Sequence, residues 1–404
     1  MEVKSINKAK LIIQNAIYLL LARIVTGLLS LLVVAIIARK LGVDKFGIYT
    51  LALTIAGIFG VISDFGSSYF TIREIAKDKR KTGEFLLNGT IVKIFLNILF
   101  SLFFFVCVHY LYTTNFRSII YLACIGSIIG MFAQFYISYF NAYEKMHFTA
   151  ILTSLQSTLI SLVCLGILFM GNSKINYLFY GHIIVNLFVV FFTNYLLFKI
   201  LSPQITQFDP KFSWNFIKNS IPFGIFFMGG VIYFQADTIM LSLMIDKTAV
   251  GLFQAPMRLI ITLEIIPSLL STAMYPSVCK AYAFSTEEAG NMIIKSFRYM
   301  FSLGLPITIG MWLLSKEIIF LVFGNKFLPS VLSLQILSWI IFIRFCAHIL
   351  GIALTASNKQ NIRAWATVLS ACVNIGLNFL LIPRYSINGA AFSSVLTNGF
   401  LVCF

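Results

Sequence analysis

The chain has 404 residues, of which 59% are hydrophobic and only 11% carry a charge. A soluble domain of this length needs far more charged side chains to cover its surface, so the composition excludes one. The net charge of +16 does not indicate a nucleic-acid partner, because the basic residues lie mostly in short connectors between long apolar runs. Basic connectors of this kind set the orientation of a membrane protein.

Long apolar runs follow one another along the whole chain. A helix crosses the ~30 Å hydrocarbon layer with about 20 apolar residues, and the sequence offers twelve runs of this kind. We therefore predict an all-α integral membrane protein of about 12 transmembrane helices, without a soluble domain large enough to act alone. The predicted spans are residues 11–38, 48–70, 86–112, 119–140, 148–170, 175–201, 216–244, 250–281, 293–314, 328–356, 364–382 and 389–404.

The N-terminal segment places three lysines before the first apolar run, residues 11–38. That run of ~28 residues is too long for the apolar region of a signal peptide, which has about 7–15 residues, so we predict an uncleaved span. With the N-terminus in the cytoplasm, the inner connectors and the span ends that adjoin them hold 17 of the 30 Lys and Arg residues, the outer connectors hold 9, and 4 lie deeper within spans. This excess favours a cytoplasmic N-terminus.

A polar segment with two prolines, residues 202–210, lies close to the middle of the chain. Prolines and polar residues between apolar runs are typical of a connector. The segment predicts a cytoplasmic linker, residues 202–215, between two lobes of six helices each. The N-terminal lobe is residues 1–201 and the C-terminal lobe is residues 216–404.

An internal repeat supports the division into two lobes. Shifting the chain by 204 residues places residues 11–59 on residues 215–263 without a gap, with Gly47 on Gly251. The starts and ends of the spans keep the same register in both copies. This pattern predicts parallel repeats related by a pseudo-two-fold axis along the membrane normal, as in many transporters.

Motifs of enzyme chemistry are missing from the sequence. It has no Gly-Lys-Ser/Thr phosphate loop and no His-Glu-x-x-His helix, and its four histidines have no carboxylate at a catalytic spacing. The seven cysteines are scattered without the spacing of a metal site. We therefore predict a transporter rather than an enzyme, with no catalytic residue, no metal site and no cofactor.

Four basic residues lie away from the ends of their predicted spans, where charge is costly and usually faces a cavity or a partner. Arg23 and Arg344 lie deep in their spans, whereas Lys93 and Arg258 lie only about seven residues inside, so these two could also reach the interface with their long side chains. Polar residues share a helix face with each of the four. We predict that they bind substrate in a hydrated cavity and hold an anionic group such as phosphate or pyrophosphate.

The carboxylates within spans are fewer than the basic residues. They are Asp64, Asp237 and Glu264. The alternative to a cationic cavity is that each arginine pairs with a carboxylate and pins helices together, but three acids are too few for four cations. Asp237 and Glu264 are candidates for coupling transport to Na⁺ or H⁺, and each could equally be the partner of an arginine.

The stretch at residues 38–49, Ala-Arg-Lys-Leu-Gly-x-x-x-Phe-Gly-x-Tyr, resembles the polysaccharide transporter family. These proteins are bacterial flippases for lipid-linked O-antigen, capsule and related repeat units. They belong to the superfamily that also holds the multidrug and toxin extruders and the lipid II flippases. Further matching stretches are Asp-Phe-Gly at 64–66, Ala-Asp-Thr-Ile-Met at 236–240, Val-Gly-Leu-Phe at 250–253, Phe-Gly-Asn-Lys-Phe at 323–327 and Asn-Gly-Ala-Ala at 388–391.

The resemblance implies a pair of six-helix lobes with a central cationic cavity that works by alternating access. It implies an undecaprenyl-pyrophosphate-linked oligosaccharide as substrate, with membrane lipids and other polysaccharide assembly proteins as partners. The location would be the bacterial cytoplasmic (inner) membrane. Members of this family often carry more spans and a basic tail, so the second lobe could continue beyond Phe404.

Two rival functions remain open at this stage. A cation-coupled drug extruder of the same superfamily would need carboxylates in the cavity, and this chain offers more basic residues than acids there. A membrane-embedded saccharide polymerase or ligase would need a large external loop, and the outer connectors are short. Both observations favour the flippase.

Overall fold

The computed structural model of the protein describes residues 2–171, 174–204, 206–357 and 359–403. Over these residues the chain forms fourteen α-helices and two short 3₁₀ turns, with no strand. The helices are α1 Glu2–Leu41, α2 Val43–Asp64, α3 Ser67–Lys77, α4 Thr82–Leu111, α5 Thr114–Ala142, α6 Met146–Phe169, α7 Ile175–Leu201, α8 Pro210–Met244, α9 Lys247–Leu263, α10 Ile265–Phe284, α11 Thr286–Leu313, α12 Ser315–Phe323, α13 Val331–Ala356 and α14 Gln360–Cys403.

Nine helical segments of the described residues are long and apolar enough to cross a membrane, and two bent pairs raise the number to eleven. The bent pairs are α8, which turns by 53°, and α11 with α12, at 74°. The nine segments include Trp365–Cys403 of α14 as a single segment. The prediction of an all-α integral membrane protein is confirmed.

Helix α14 contains a chain reversal that accounts for the twelfth predicted span. Ser386 has the non-helical angles φ 50° and ψ −127°. The Ser393 hydroxyl donates to the carbonyl of Asn374 at 3.3 Å, although these residues would stand ~28 Å apart in a straight helix. Residues 360–385 and 387–403 therefore lie side by side, as the predicted spans 11 and 12 require.

The helices form two compact units. Unit 1 contains Met1–Val33 and Ala52–Met228, and unit 2 contains Val34–Leu51 and Gly229–Phe404. These borders differ from those of the predicted lobes, because residues 34–51 pack with helices of the second half. The lobes follow from the repeat rather than from packing, and their borders stay a prediction.

Unit 1 is built around aromatic side chains. Phe85, Phe135 and Phe216 are buried in one cluster with residues of α3, α5 and α7, and Phe85 meets Phe216 edge-to-face at 5.7 Å. One backbone feature matters for the site. Between α2 and α3, Phe65 and Gly66 have positive φ angles of 50° and 74°, which interrupt the helix inside predicted span 2.

Unit 2 contains a reciprocal contact between the two copies of the predicted repeat. A Cβ on Gly47 would overlap the carbonyl of Lys247, and a Cβ on Gly251 would overlap the carbonyl of Val43. Each glycine therefore approaches the residue that stands four positions before the other. Such reciprocity is the mark of a two-fold relation, and it supports the repeat with its offset of 204 residues.

Candidate functional sites in the two units

Lys93 forms a buried ion pair in unit 1. Its side chain is 0% exposed, and its Nζ contacts Oδ1 of Asp64. The ammonium group also lies 5.0 Å from the ring centroid of Phe135. Burial rules out the alternative that Lys93 reaches the membrane interface. Asn97, on the same face of α4, donates to the carbonyl of Lys93 at 2.7 Å.

The break between α2 and α3 positions Asp64. Helix α2 ends at Asp64 and α3 begins at Ser67, so the carboxylate lies at the start of the second helix. The hydroxyls of Ser67 and Ser68 donate to its Oδ1 at 3.1 and 2.8 Å. Carboxylates are favoured at a helix N-terminus, where backbone N–H groups point outward. Local backbone geometry thus holds the partner of Lys93.

Arg344 forms an ion pair in unit 2. Its guanidinium contacts Oε2 of Glu264 and its Nε donates to Oδ1 of Asn398 at 3.2 Å. His348, one turn further along α13, places Nε2 at 3.7 Å from Oε1 of Glu264. Arg344 and His348 therefore lie on one face of α13. Glu264 itself lies at the break between α9 and α10. Of the two roles considered for it, ion coupling and pairing with an arginine, the contact with Arg344 agrees with the second.

Two of the four basic residues follow the alternative in which a buried cation pairs with a carboxylate, whereas the surplus of positive charge within the spans stays a prediction. Lys93 and Arg344 each have a carboxylate partner, because helix breaks bring acids that are distant in sequence next to them. The substrate-binding role of all four stays a prediction.

A cavity of about 230 Å³ lies beside the Arg344 pair. Its polar wall contains Glu264, Arg344, His348 and Asn398, together with Tyr233. The Tyr233 hydroxyl is buried and, in the described part of the chain, has no hydrogen-bond partner. The remaining wall is apolar, with Phe234, Leu354 and Val402 among its residues.

Asp237 lies in a second polar cluster of unit 2 and is only 4% exposed. Its carboxylate accepts hydrogen bonds from Asn374 at 3.0 Å, from Asn378 at 2.6 Å and from the Ser394 hydroxyl. The chain reversal in α14 brings the asparagines and the serine to the same side of Asp237. Amides and a hydroxyl therefore surround this carboxylate, and no ion pair of Asp237 occurs among the residues described.

The two other predicted basic residues have different surroundings. Arg258 lies on α9 in unit 2, and its buried Nε has no hydrogen-bond partner within the described ranges. Arg23 is an exposed residue of α1 in unit 1. The structure thus divides the four basic residues between the units, with Arg23 and Lys93 in unit 1, and the common cavity stays a prediction.

Neutral polar residues of the candidate sites escaped the sequence analysis, which searched for charges. Asn374 and Asn378 stand four residues apart on α14, as do Ser394 and Asn398. Residues at this spacing lie on one helix face. Two such polar pairs inside apolar spans were a signal in the sequence for a buried polar cluster, the one that contains Asp237 in the structure.

Comparison with known proteins places these sites in context. The sequence profile of a family described as polysaccharide biosynthesis protein matches residues 12–281. A Haloferax volcanii protein named as a low-salt glycan biosynthesis flippase is 24% identical over 95% of this chain and 80% of its own length. A Shigella flexneri protein named as an O-antigen transporter is 23% identical over 95% of this chain and 94% of its own length.

Solved structures share the fold. The lipid II flippase MurJ in an inward closed conformation superposes with a TM-score of 0.72 at 15% identity, over 95% of this chain and 85% of MurJ. An inward-facing multidrug resistance transporter of the MATE family superposes with a TM-score of 0.74 at 13% identity, over 95% of this chain and 96% of the transporter. The fold is therefore that of these transporters. The prediction of a transporter rather than an enzyme agrees with the names of the relatives and is confirmed.

Proposed function

The chain belongs to the polysaccharide biosynthesis protein family, and from this premise we propose that it is a flippase for a lipid-linked saccharide. The observation that carries the proposal is the similarity to a glycan biosynthesis flippase and to an O-antigen transporter along 95% of the chain. The transporter fold agrees with alternating access, in which a site opens to one side of the membrane at a time.

The substrate we propose is a saccharide on a polyprenyl pyrophosphate carrier, with undecaprenyl pyrophosphate as the carrier of a bacterial repeat unit. Arg258 supports an anionic head group, because its buried Nε–H has no acceptor among the residues described. A guanidinium binds phosphate oxygens through several N–H groups at once. Arg258 would bind the pyrophosphate in unit 2, where Arg344 would join only by leaving its carboxylate. The substrate-binding roles of Arg23 and Lys93, in unit 1, stay predictions.

Asp237 is the residue we propose for ion coupling. A buried carboxylate with three neutral polar neighbours can take up a proton, or it can bind Na⁺ with carboxamide and hydroxyl oxygens. Two observations support this role. Asp237 is surrounded by Asn374, Asn378 and Ser394, and the buried Oδ1 of Asn378 has no donor within the described residues. Glu264, held by Arg344 and close to His348, is the second candidate.

We propose the cytoplasmic membrane as the location, with the N-terminus inside. Inner connectors and adjoining span ends that hold 17 basic residues, against 9 in the outer connectors, support this orientation. In a background without native cysteines, an impermeant maleimide should label Thr113→Cys in intact cells and Gln207→Cys only after permeabilisation. Both positions are exposed. The reverse pattern would invert the orientation.

The class of cargo is tested by ligand stabilisation of the purified protein. A ligand at about 100 times its Kd adds ~2.7 kcal/mol to the free energy of unfolding, which corresponds to a rise in Tm of roughly 3 °C for a chain of this length. We expect this rise with undecaprenyl pyrophosphate carrying a trisaccharide, and no rise with the cationic drug ethidium. Stabilisation by ethidium alone would favour the drug extruder instead.

A further inference from the structure

Tyr233 lines a cavity of unit 2 and carries a buried hydroxyl group. Tyr233 is 7% exposed, and its hydroxyl is buried without a hydrogen-bond partner among the described residues. Buried polar groups in folded proteins are nearly always hydrogen-bonded, and an exception calls for a water or a ligand. The cavity of about 230 Å³ that Tyr233 lines offers the space for one.

The charges around this cavity balance one another. Arg344 contacts Glu264, and His348 approaches the same carboxylate at 3.7 Å. A phosphate group in this place would have to displace the carboxylate of Glu264 and leave it buried beside another anion. Such an arrangement is costly, so the cavity suits an uncharged polar ligand better than a phosphate.

The polar wall has hydrogen-bonding capacity to spare. A guanidinium carries five N–H donors, and Arg344 uses its Nε for Asn398 and one terminal nitrogen for Glu264. The carboxylate of Glu264 can accept about four hydrogen bonds. The cavity lining thus combines donors and acceptors with apolar residues, among them Phe234, Leu354 and Val402. A sugar ring carries hydroxyl groups on apolar C–H faces, so it needs both hydrogen-bonding groups and apolar side chains around it.

We propose that this cavity is the saccharide subsite of the transporter and receives one sugar residue of the lipid-linked substrate, an inference that rests on the proposed flippase function. Tyr233, Glu264, Arg344 and Asn398 bind the sugar hydroxyls there. The volume of the cavity agrees with a single sugar residue. Pockets for drug-sized ligands have volumes of about 300–1,000 Å³, and this cavity, at about 230 Å³, suits a smaller group. The pyrophosphate binds outside this cavity, at Arg258 in the proposed function.

The test compares two lipids on the purified full chain in nanodiscs. One is undecaprenyl pyrophosphate carrying a single N-acetylglucosamine, and the other is undecaprenyl pyrophosphate without sugar. We expect the wild type to bind the sugar-bearing lipid more tightly. Tyr233→Phe should raise its Kd about fivefold, the effect of one lost hydrogen bond, and should leave the Kd of the sugar-free lipid within about twofold.

Tyr139→Phe is the matched control. The Tyr139 hydroxyl is also buried without a partner in the described structure, but it lies in unit 1 and outside this cavity, so its removal should change neither Kd. Glu264→Gln is a second variant for the same test. It should raise the Kd of the sugar-bearing lipid and leave the Kd of the sugar-free lipid unchanged. Because Tyr233→Phe removes a hydroxyl that none of the described residues binds, the Tm of this variant should equal that of the wild type.

The outcomes separate the two proposals. A wild type that binds neither lipid would overturn the flippase and the subsite together. A wild type that binds both lipids equally well, or a Tyr233→Phe variant that keeps the preference for the sugar, would overturn the subsite and leave the flippase standing.

Discussion

Lys93 shows how a buried charge in this chain depends on one partner. The side chain is fully buried against Asp64, so Lys93→Met leaves a carboxylate without its cation. Removal of one member of a buried pair costs about 3–5 kcal/mol. We expect a clearly lower Tm for the purified Lys93→Met protein, and partial recovery in the double variant Lys93→Met/Asp64→Leu.

Lys199→Met is the control for this prediction, since Lys199 is exposed on α7 and its loss should leave the Tm unchanged. A Lys93→Met protein of normal Tm that no longer transports would contradict the structural role. It would return Lys93 to the substrate-binding residues.

Asp237 carries the prediction on ion coupling. Asp237→Asn keeps the shape of the side chain but loses its negative charge, so a cation is no longer attracted. In proteoliposomes, transport by the wild type should accelerate when a Na⁺ or a proton gradient is imposed, and transport by Asp237→Asn should not respond to either. Asp209→Asn is the control, because Asp209 is exposed and asparagine replaces aspartate well near a helix start. An Asp237→Asn protein that responds like the wild type would exclude this residue from coupling.

Sequence reasoning located the buried charges but not their partners. The depth of Arg344 and Glu264 in apolar runs was visible in the sequence, since charge there is rare. Their contact joins residues 80 positions apart, and it forms because the chain breaks at Glu264 between two helices. Spacing on a single helix carries no information about such contacts.

At the scale of elements, Gly47 allows the first turns of α2 to approach the start of α9. A Cβ at this position would overlap the carbonyl of Lys247, which is backbone and cannot turn aside. We expect Gly47→Ala to lower the Tm of the purified protein by several degrees. Gly57→Ala on the same helix has open space and should be neutral or stabilising by up to ~1 kcal/mol, from helix propensity alone. Equal Tm values for the two variants would contradict the close approach.

The predicted spans agree with the helices except where helices break. Residues 48–70 were predicted as one span, but α2 ends at Asp64 and α3 continues to Lys77. The positive φ angles of Phe65 and Gly66 cause this break. Apolar residues continue on both sides of the break, so the length of the apolar run does not reveal it. Gly66, which lies between Phe65 and Ser67, was a local signal of the break.

At the scale of the whole molecule, the repeat links sequence and fold. An offset of 204 residues, read from the sequence, relates Asp44 to Thr248, and the Thr248 hydroxyl donates to Oδ1 of Asp44 at 2.7 Å. Positions equivalent in the repeat therefore meet in space. Composition and run length were enough to predict the membrane class. The packing of units was not accessible, because it depends on contacts between distant residues.

Leaflet crossing is the measurement that tests the central claim most directly. Proteoliposomes would carry undecaprenyl pyrophosphate linked to a fluorescent trisaccharide, and a membrane-impermeant quencher would report its arrival in the outer leaflet. We predict crossing with the wild type and with Gly57→Ala, and a rate at least about tenfold lower with Arg258→Gln, which loses charged hydrogen bonds of about 1.5–3 kcal/mol. A well-folded wild type that moves the lipid no faster than protein-free liposomes, with or without an ion gradient, would contradict the flippase.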